Sequence, residues 1–302
     1  MKPSVFQPVR RMTNNPPRLI DWQAEARRRL DSALERPDTG WGLEIQVLAA
    51  CVLGQTRAWV LGHPEHLLLP DQVARLEALV EKLAQGTPLP YLTGRQEFYG
   101  LEFEVTPEVL IPRPETELLV EHALAAAKNL PGGAWAADVG TGSGCIAVTL
   151  AKHAPNLCLL AVDRSRAALY VARRNAVWHV VAERVHFVQG SLLTAARGPF
   201  SLVCANLPYI PAGALADLET AKHEPRMALD GGTDGLALIA ALLADAPRIL
   251  APGGLMLLEM QYDQGPAIHA LTVGVLPGVR VSVLPDLAGL PRLVKIEQRK
   301  EK

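Results

Sequence analysis

Four consecutive residues combine the groups that a clamp for a planar NH2 group requires: Asn206, Leu207, Pro208 and Tyr209. The asparagine side chain offers an amide oxygen that accepts a hydrogen bond from NH2. The next residue offers a backbone carbonyl, the proline stiffens the turn, and the tyrosine provides a flat ring for stacking. These residues follow an apolar run over 200–205 that predicts a buried strand. We interpret the four as catalytic and substrate-binding residues acting on a nitrogen; an ordinary strand-to-loop turn is the alternative.

A glycine-rich turn lies between a predicted strand over 134–139 and a predicted helix over 145–151. The turn consists of Gly140, Thr141, Gly142, Ser143 and Gly144. Strand, glycine turn and helix form the first unit of a doubly wound sheet, in which the turn approaches a ligand closely. A second predicted strand, over 157–162, is followed by Asp163, whose carboxylate suits ribose hydroxyls. The turn and this acid are therefore predicted to bind a cofactor.

The glycine turn fits two cofactors, because nicotinamide dinucleotides and S-adenosylmethionine both use such a turn and an acid about 20 residues further on. Two details favour the methyl donor. The pyrophosphate spacing Gly-x-Gly-x-x-Gly is absent, and Asp138 stands two residues before the first glycine, where a carboxylate would hold a positively charged amino acid end. No Gly-Lys-Ser/Thr follows, which argues against a P-loop. A glycine turn without a ligand is the remaining alternative.

Composition limits the class of protein. A chain of 302 residues accommodates one large domain and a smaller one, and 49% hydrophobic residues predict a substantial core. The net charge of -1 argues against broad nucleic-acid binding. The longest apolar helix candidate, over 236–244, is too short to span a membrane. We expect a cytoplasmic monomer with no signal peptide, no stable nucleic-acid partner and no membrane contact.

Cysteine and histidine spacing gives no sign of a metal or of disulfides. The four cysteines are scattered and predict buried free thiols in a reducing compartment: Cys51, Cys145, Cys158 and Cys204. The eight histidines show no His-x-x-x-His or His-Glu-x-x-His pattern, so no metal site is expected.

The positioning elements divide the chain into four segments. We predict a disordered tail over 1–17, a helical recognition domain over 18–86, a β-hairpin linker over 87–113 and an α/β domain over 114–302. In the first domain, helices are expected over 21–30, 43–53 and 71–83. In the linker, residues 98–105 alternate like one hairpin arm. Residues 113–117 open a helix that runs to 127, and their charges fit helix-start chemistry. The functional alternative is that Arg113 and Glu115 bind the substrate.

The α/β domain is predicted to contain a seven-stranded sheet of the methyltransferase type. Besides the strands over 134–139, 157–162 and 200–205, we expect strands over 185–188, 255–260, 279–284 and 293–296, and a helix over 236–250. The segment 210–235 is expected to be a loop that folds over the substrate.

The chain resembles the HemK-like (PrmC) glutamine methyltransferases, which modify peptide chain release factors. The resemblance covers residues 20–297 and rests on several motifs: Pro90-Tyr91-Leu92-Thr93-Gly94, Glu97-Phe98-Tyr99-Gly100, residues 110–117, the glycine turn, Asp163, the Asn206 clamp, Glu224-Pro225 and residues 231–235. Arg-Pro-Glu-Thr-Glu at 113–117 favours the release-factor enzymes over the related ribosomal-protein methyltransferases.

This resemblance implies a Rossmann-like catalytic domain with a helical N-terminal domain, S-adenosylmethionine as cofactor, and the glutamine of a Gly-Gly-Gln motif as target. The glycine turn and Asp163 would hold the cofactor, with Asn206 near the methyl group. Asn206 and the Leu207 carbonyl would accept the two N–H bonds of the glutamine. Tyr209 and Phe98 would stack on its amide plane, so that orientation and fixed dipoles provide catalysis.

Two positions depart from the family pattern. Leu207 replaces the first proline of Asn-Pro-Pro-Tyr, and every residue retains the carbonyl that this position would use. Ser191 and Leu192 stand where the family often has an acid facing adenine; we expect the serine to accept one hydrogen bond and the leucine to pack on the ring. The alternatives are a ribosomal-protein glutamine methyltransferase, a DNA adenine methyltransferase with the same clamp, and a non-catalytic cofactor-binding protein.

Overall fold

The computed structural model of the chain describes residues 16–33 and 40–299, so the predicted tail lies almost wholly outside the described residues. Backbone contacts divide the chain into two compact units, residues 1–94 and 95–302. No helix in the described part of either unit is long and apolar enough to cross a membrane.

The described part of the first unit is helical. Its elements are α1 (Leu19–Ala33), α2 (Gly42–Leu53), α3 (Arg57–Gly62), α4 (Pro70–Ala84) and α5 (Leu89–Thr93). The three predicted helices are present as α1, α2 and α4. Their apolar faces form one core, in which Leu30, Leu48, Leu76 and Val80 are fully buried.

Two short helices of this unit were not predicted. The Thr56 side chain accepts a hydrogen bond from the backbone N–H of Trp59 and so caps α3. Helix α5 falls in the segment that was expected to be part of the hairpin linker. A helix forms there because Pro90 stands in its first turn, where proline is tolerated, and Gly94 ends it in the left-handed conformation. Pro88 and Pro90, which lie in the predicted linker, therefore stand at the start of a helix.

The second unit begins with the hairpin strands β1 (Arg95–Phe98) and β2 (Leu101–Glu104), which pair antiparallel. The expectation of one continuous arm over 98–105 is wrong, because the chain reverses at Tyr99 and Gly100. Both have positive φ, 52° and 72°, as a two-residue hairpin turn requires.

Helices and strands largely alternate through the remainder of this unit. The elements are α6 (Glu117–Ala127), β3 (Ala134–Val139), α7 (Cys145–His153), β4 (Leu157–Asp163), α8 (Arg166–Trp178), β5 (Val185–Gln189), β6 (Phe200–Ala205), α9 (Ala237–Ile249), β7 (Leu250–Glu259), α10 (Gly265–Val275), β8 (Arg280–Pro285) and β9 (Pro291–Glu297).

Seven strands of the described chain form one sheet in the order β5-β4-β3-β6-β7-β9-β8, with β9 antiparallel to its neighbours. This confirms the predicted α/β fold with a seven-stranded sheet. One strand is longer than expected: β7 begins at Leu250, and the register with β6 jumps between Phe200 and Leu202. The Pro-Gly-Gly sequence at 252–254 is thus accommodated within the strand as an irregularity.

Register brings the predicted site residues to one edge of the sheet. Val139 lies opposite Ala205, and Ala205 lies opposite Leu258. The residues that follow β3 and β6, Gly140 and Asn206, therefore emerge side by side. The strand order reverses beside β3, and ligands of open α/β sheets bind at such a switch point.

The cysteines differ from the predicted buried thiols. All four are free, but only Cys204 is buried. Cys145 and Cys158 are half-buried, and Cys51 is exposed on α2. The helical position of Cys51 places it on the outward face of an otherwise apolar segment, which composition alone does not reveal.

Candidate active site

A cavity of about 460 Å³ opens at the carboxyl edge of the sheet. That volume lies within the range of small-molecule sites. Many of the predicted site residues line it: Arg113, Gly140, Thr141, Gly142, Ser143, Asp163, Ser191, Leu192, Asn206, Leu207 and Pro208. The structure therefore brings the glycine turn and the clamp together around one space.

The glycine turn packs against the clamp with no room for a side chain at its first position. Gly140 has φ +75°, and a Cβ built there would lie 3.1 Å from Leu207 Cδ2. Any larger residue would be strained by its backbone conformation and would push the leucine away. The close approach keeps the floor of the cavity open to a ligand, which fits a cofactor whose backbone contacts are made by this turn.

Gly144 has a different task from the one predicted. It has φ +81° and precedes α7, and a Cβ there would lie 3.0 Å from the Cβ of Ala172 on α8. It does not line the cavity. The close packing of α7 on α8 is sufficient to explain a glycine at this position, and its contact with a cofactor stays a prediction.

Asp138 is fully buried beneath the turn and is not part of the cavity wall. Its Oδ2 accepts hydrogen bonds from Thr141 Oγ1 at 2.6 Å and from the backbone N–H of Ala147 at 3.0 Å. Its Oδ1 has no hydrogen-bond partner among the described residues. Burial raises the pKa of Asp138 to about 7. An unpartnered buried oxygen is costly, and the raised pKa favours the neutral carboxyl, which lowers that cost.

Asp163 ends β4 at the rim of the cavity. Its carboxylate accepts hydrogen bonds from the backbone N–H of Gly142 at 2.8 Å and of Ser165 at 2.7 Å. Burial is the largest cause of the shift in the pKa of Asp163, and it raises that pKa. The carboxylate therefore fixes the turn, and its position at the cavity leaves it able to accept a ligand hydroxyl as well.

Ser191 and Leu192 both line the cavity, the first exposed and the second half-buried. Leu192 has φ +52°, an uncommon conformation for a residue with a branched side chain. Such conformations cluster at ligand sites, where the surroundings hold them. The position agrees with packing of this leucine on a flat ligand.

The clamp residue Asn206 is held by its amide nitrogen. Asn206 Nδ2 donates to Thr116 Oγ1 at 3.0 Å, and the Thr116 hydroxyl donates to Glu259 Oε2 at 2.7 Å. No described residue donates to Asn206 Oδ1. Asn206 lines the cavity, and the oxygen that the clamp needs as an acceptor is not used by any described residue.

Tyr209 is tied to the same carboxylate. Its hydroxyl donates to Glu259 Oε1 at 3.3 Å. Glu259 is buried, and burial raises its pKa to about 7. Burial and the neighbouring carboxylate also raise the pKa of Tyr209, so its hydroxyl keeps its proton. Tyr209 itself does not line the cavity, although Pro208 does.

Sequence reasoning missed Thr116 and Glu259. In the sequence, Thr116 belongs to the predicted helix start at 113–117, and Glu259 lies in the predicted strand over 255–260. One signal was present: Glu259 is a lone acid in the apolar run Leu255–Met260, and it follows Leu258, the register partner of Ala205. A charged residue at the carboxyl end of a buried parallel strand points towards a site.

The backbone of the clamp is held from behind. Gln264 Nε2 donates to the carbonyl of Tyr209 at 3.0 Å. A Cβ on Gly235 would lie 2.1 Å from that same oxygen, so only glycine fits there. Part of the loop predicted to cover the substrate therefore packs against the clamp: Gly235 lies against the Tyr209 carbonyl. Within that loop, Ile210, the residue after the clamp, pairs with Asp230.

Of the other three residues predicted to bind the substrate, one lines the cavity, one is exposed outside it and one is buried in the core. Arg113 lines the cavity and forms an ion pair with Glu224, a buried acid that also accepts from the backbone N–H of Ile111 at 3.1 Å. Glu115 is exposed and lies outside the cavity wall. Phe98 is 1% exposed and packs edge-on against Phe103 in the core. The structure thus argues against a stacking role for Phe98, since its ring is covered.

Family models match most of the chain. Residues 21–94 match the PrmC N-terminal domain, and residues 114–223 match the methyltransferase small domain. The two matches fall in the first and second structural units respectively.

Two curated relatives align over most of their length. The chain is 43% identical over 280 residues to the release factor glutamine methyltransferase of Moorella thermoacetica, covering 92% of this chain and 97% of the relative. It is 40% identical over 256 residues to that of Coxiella burnetii, covering 83% and 90%. A methyltransferase structure from Pyrococcus furiosus, 18% identical with a TM-score of 0.50, covers 76% of this chain and 100% of its own, which supports the fold alone.

Proposed function

Because the chain belongs to the family of release factor glutamine methyltransferases, we propose that it methylates the side-chain amide nitrogen of a glutamine in a bacterial peptide chain release factor. The family assignment confirms the resemblance drawn from the motifs. The target is the glutamine of the Gly-Gly-Gln motif, and the methyl donor is S-adenosylmethionine.

One observation carries the proposal: Asn206 lines the cavity beside the glycine turn, and its amide is anchored through the nitrogen, which leaves the oxygen without a donor among the described residues. A primary amide presents two N–H donors, and the clamp offers two acceptors, Asn206 Oδ1 and the Leu207 carbonyl. Residues that bind a donor pair in this way select an NH2 group. The arrangement supports glutamine as the substrate side chain.

The residues around the glycine turn fit the cofactor. Gly140 leaves space at the floor, and Asp163 offers free lone pairs at the rim. Asp138 lies buried beneath the turn and holds the cavity-lining Thr141 by a hydrogen bond, so it would support the cofactor site from below. Ser191 and Leu192 would form the wall beside adenine. When bound, S-adenosylmethionine supplies a methyl group that its sulfonium makes electrophilic.

The protein's part in the reaction is orientation. An amide nitrogen is a poor nucleophile because its lone pair is delocalised into the carbonyl. Asn206 and the Leu207 carbonyl would hold both N–H groups and turn the nitrogen towards the methyl, while Pro208 limits its freedom. As the nitrogen–carbon bond forms, the methyl carbon's bond to sulfur would break, the thioether would leave with the electron pair, and the nitrogen would give up one proton to water. Fixed dipoles and alignment of this kind account for large rate factors.

The direct test is peptide mass spectrometry of a purified class I release factor incubated with this protein and S-adenosylmethionine. We expect one added methyl on the Gly-Gly-Gln glutamine, and none on a release factor in which that residue is glutamate. Asn206→Ala should abolish transfer, whereas Asn129→Ala, at an exposed asparagine that does not line the cavity, should not. Cofactor binding without transfer would contradict the proposal and favour another glutamine-bearing protein.

Several expectations about this protein stay predictions. They are recognition of the release factor by residues 18–86, the linker role of residues 87–113, substrate contacts by Arg113 and Glu115, the monomeric state, the absence of nucleic-acid and membrane partners, and the cytoplasmic location.

A further inference from the structure

The buried side chains of Thr116 and Glu259 form a series of hydrogen bonds between the first and last residues of the clamp, Asn206 and Tyr209. We propose that Thr116 and Glu259 are positioning residues that fix which way the Asn206 carboxamide faces, and so keep its oxygen towards the substrate. The inference rests on the methyl transfer proposed above. It adds two residues to the site. Thr116 lies 90 positions from Asn206 and 143 positions from Glu259 in the sequence.

The argument follows from donor and acceptor capacity. A threonine hydroxyl has one hydrogen, and a carboxylate only accepts. The Thr116 hydrogen is directed to Glu259 at 2.7 Å, so only lone pairs remain to face Asn206. Asn206 must therefore present its NH2 group, which it does at 3.0 Å. The carboxylate thus sets the direction of every bond in the series.

Without this pair, the asparagine has no reason to choose one orientation. The oxygen and nitrogen of a carboxamide are nearly equal in size, and only hydrogen bonds distinguish them. A reversed Asn206 would present NH2 to the NH2 of the substrate. The substrate would lose an acceptor and meet a donor instead, so the nitrogen would not be held for attack.

Burial protects the hydrogen bond between Thr116 and Glu259 from water. Thr116 and Glu259 are each 2% exposed, so water does not compete for their bonds. The same carboxylate accepts from the Tyr209 hydroxyl at 3.3 Å. One buried acid therefore orients both the asparagine and the tyrosine of the clamp.

The protonation state of the Glu259 carboxyl depends on the titratable and charged groups around it. The titratable and charged groups that face it are Tyr209 after β6, Glu115 beside Thr116, Arg292 on β9 and Cys145 at the start of α7. Protonated Glu259 would have a hydrogen to donate, and Thr116 would then be free to donate to Asn206 and reverse it. We therefore expect methyl transfer to slow as pH falls and the carboxylate gains its proton.

The test compares Thr116→Val, which keeps the shape and removes the hydroxyl, with Thr116→Ser, which keeps the hydroxyl. Single-turnover transfer to a purified class I release factor is measured at saturating S-adenosylmethionine. We expect Thr116→Val to slow transfer about 100-fold, with cofactor Kd and release-factor KM changed less than threefold. Thr116→Ser should recover most of the rate. The matched control is Thr149→Val, a buried threonine on α7 whose hydroxyl has no partner among the described residues.

The outcomes separate the inference from the function. A wild-type protein that transfers no methyl group refutes the proposed function. A wild-type protein that is active, with Thr116→Val equally fast, overturns the positioning role.

If Thr116→Val does not fold, Glu259→Gln decides. Its amide both donates and accepts, so either direction becomes available. We expect a lower rate at pH 8 and loss of the acid-side decline that wild type shows. An unchanged rate and an unchanged pH profile would refute the inference.

Discussion

Replacing Glu259 by glutamine should make the protein more stable at alkaline pH while it slows methyl transfer. The carboxyl group is buried and accepts hydrogen bonds from Thr116 and Tyr209. Burial disfavours the charged form of the Glu259 carboxyl and is the main reason that its pKa rises from an ordinary 4.5 to about 7. The fold therefore carries a carboxylate that it would hold more easily as a neutral group.

The magnitude follows from that difference in pKa. At about 1.4 kcal/mol per pH unit, the gap between 4.5 and about 7 corresponds to about 3 kcal/mol of unfolding free energy. Because the folded pKa is raised, this stability is fully present below pH 4.5. It is lost as pH rises through about 7, since the folded state must then give up a proton that the unfolded state released earlier. Most of the change falls between pH 5 and pH 8.

The assay is urea unfolding of wild type and Glu259→Gln at pH 5 and pH 8, followed by circular dichroism. We expect wild type to lose roughly 2 to 3 kcal/mol more than the variant between the two values. Asp138, whose pKa is also about 7, titrates in both proteins and cancels in the comparison. Glu121→Gln on the exposed face of α6 serves as the control and should behave like wild type.

An equal loss of stability in wild type and Glu259→Gln would refute the reasoning, because Glu259 would then titrate alike in the folded and unfolded states. A variant that is less stable than wild type at pH 8 would show that the carboxylate is needed to hold the structure together. In that case the acid would be a structural residue before it is a positioning one.

Three further substitutions test the placement of individual residues. Gly144→Ala should lower the unfolding free energy by about 1 to 3 kcal/mol, from its positive φ and the contact with Ala172, with no change in cofactor Kd by calorimetry. Leu207→Ala should lose about 3 kcal/mol in urea unfolding, because the side chain is 3% exposed, yet slow transfer less than tenfold because the carbonyl remains. Arg113→Met should destabilise by about 3 kcal/mol, since it leaves the buried Glu224 carboxylate without its ion pair, and thermal unfolding measures this.

Local patterns were sufficient for the scaffold and for half of the site. Period-two and apolar runs predicted the strands, and the glycine turn between β3 and α7 predicted where a cofactor would lie, because these features depend on residues close together in sequence. Asn206 could be identified from its position just after a buried strand. The hairpin was less well predicted, because Phe98 was treated as part of an arm that in fact ends there.

The sequence by itself therefore determined the α/β fold, the order of strand and helix, and the neighbourhood of Gly140 and Asn206. Only the tertiary structure decided what those residues touch. Burial of Phe98, packing of Gly144 on Ala172 and the bond from Thr116 to Glu259 each join segments that are distant along the chain. The physical reason is that local propensity fixes backbone shape, whereas the direction of a buried hydrogen bond depends on which donor and acceptor the folded chain brings face to face.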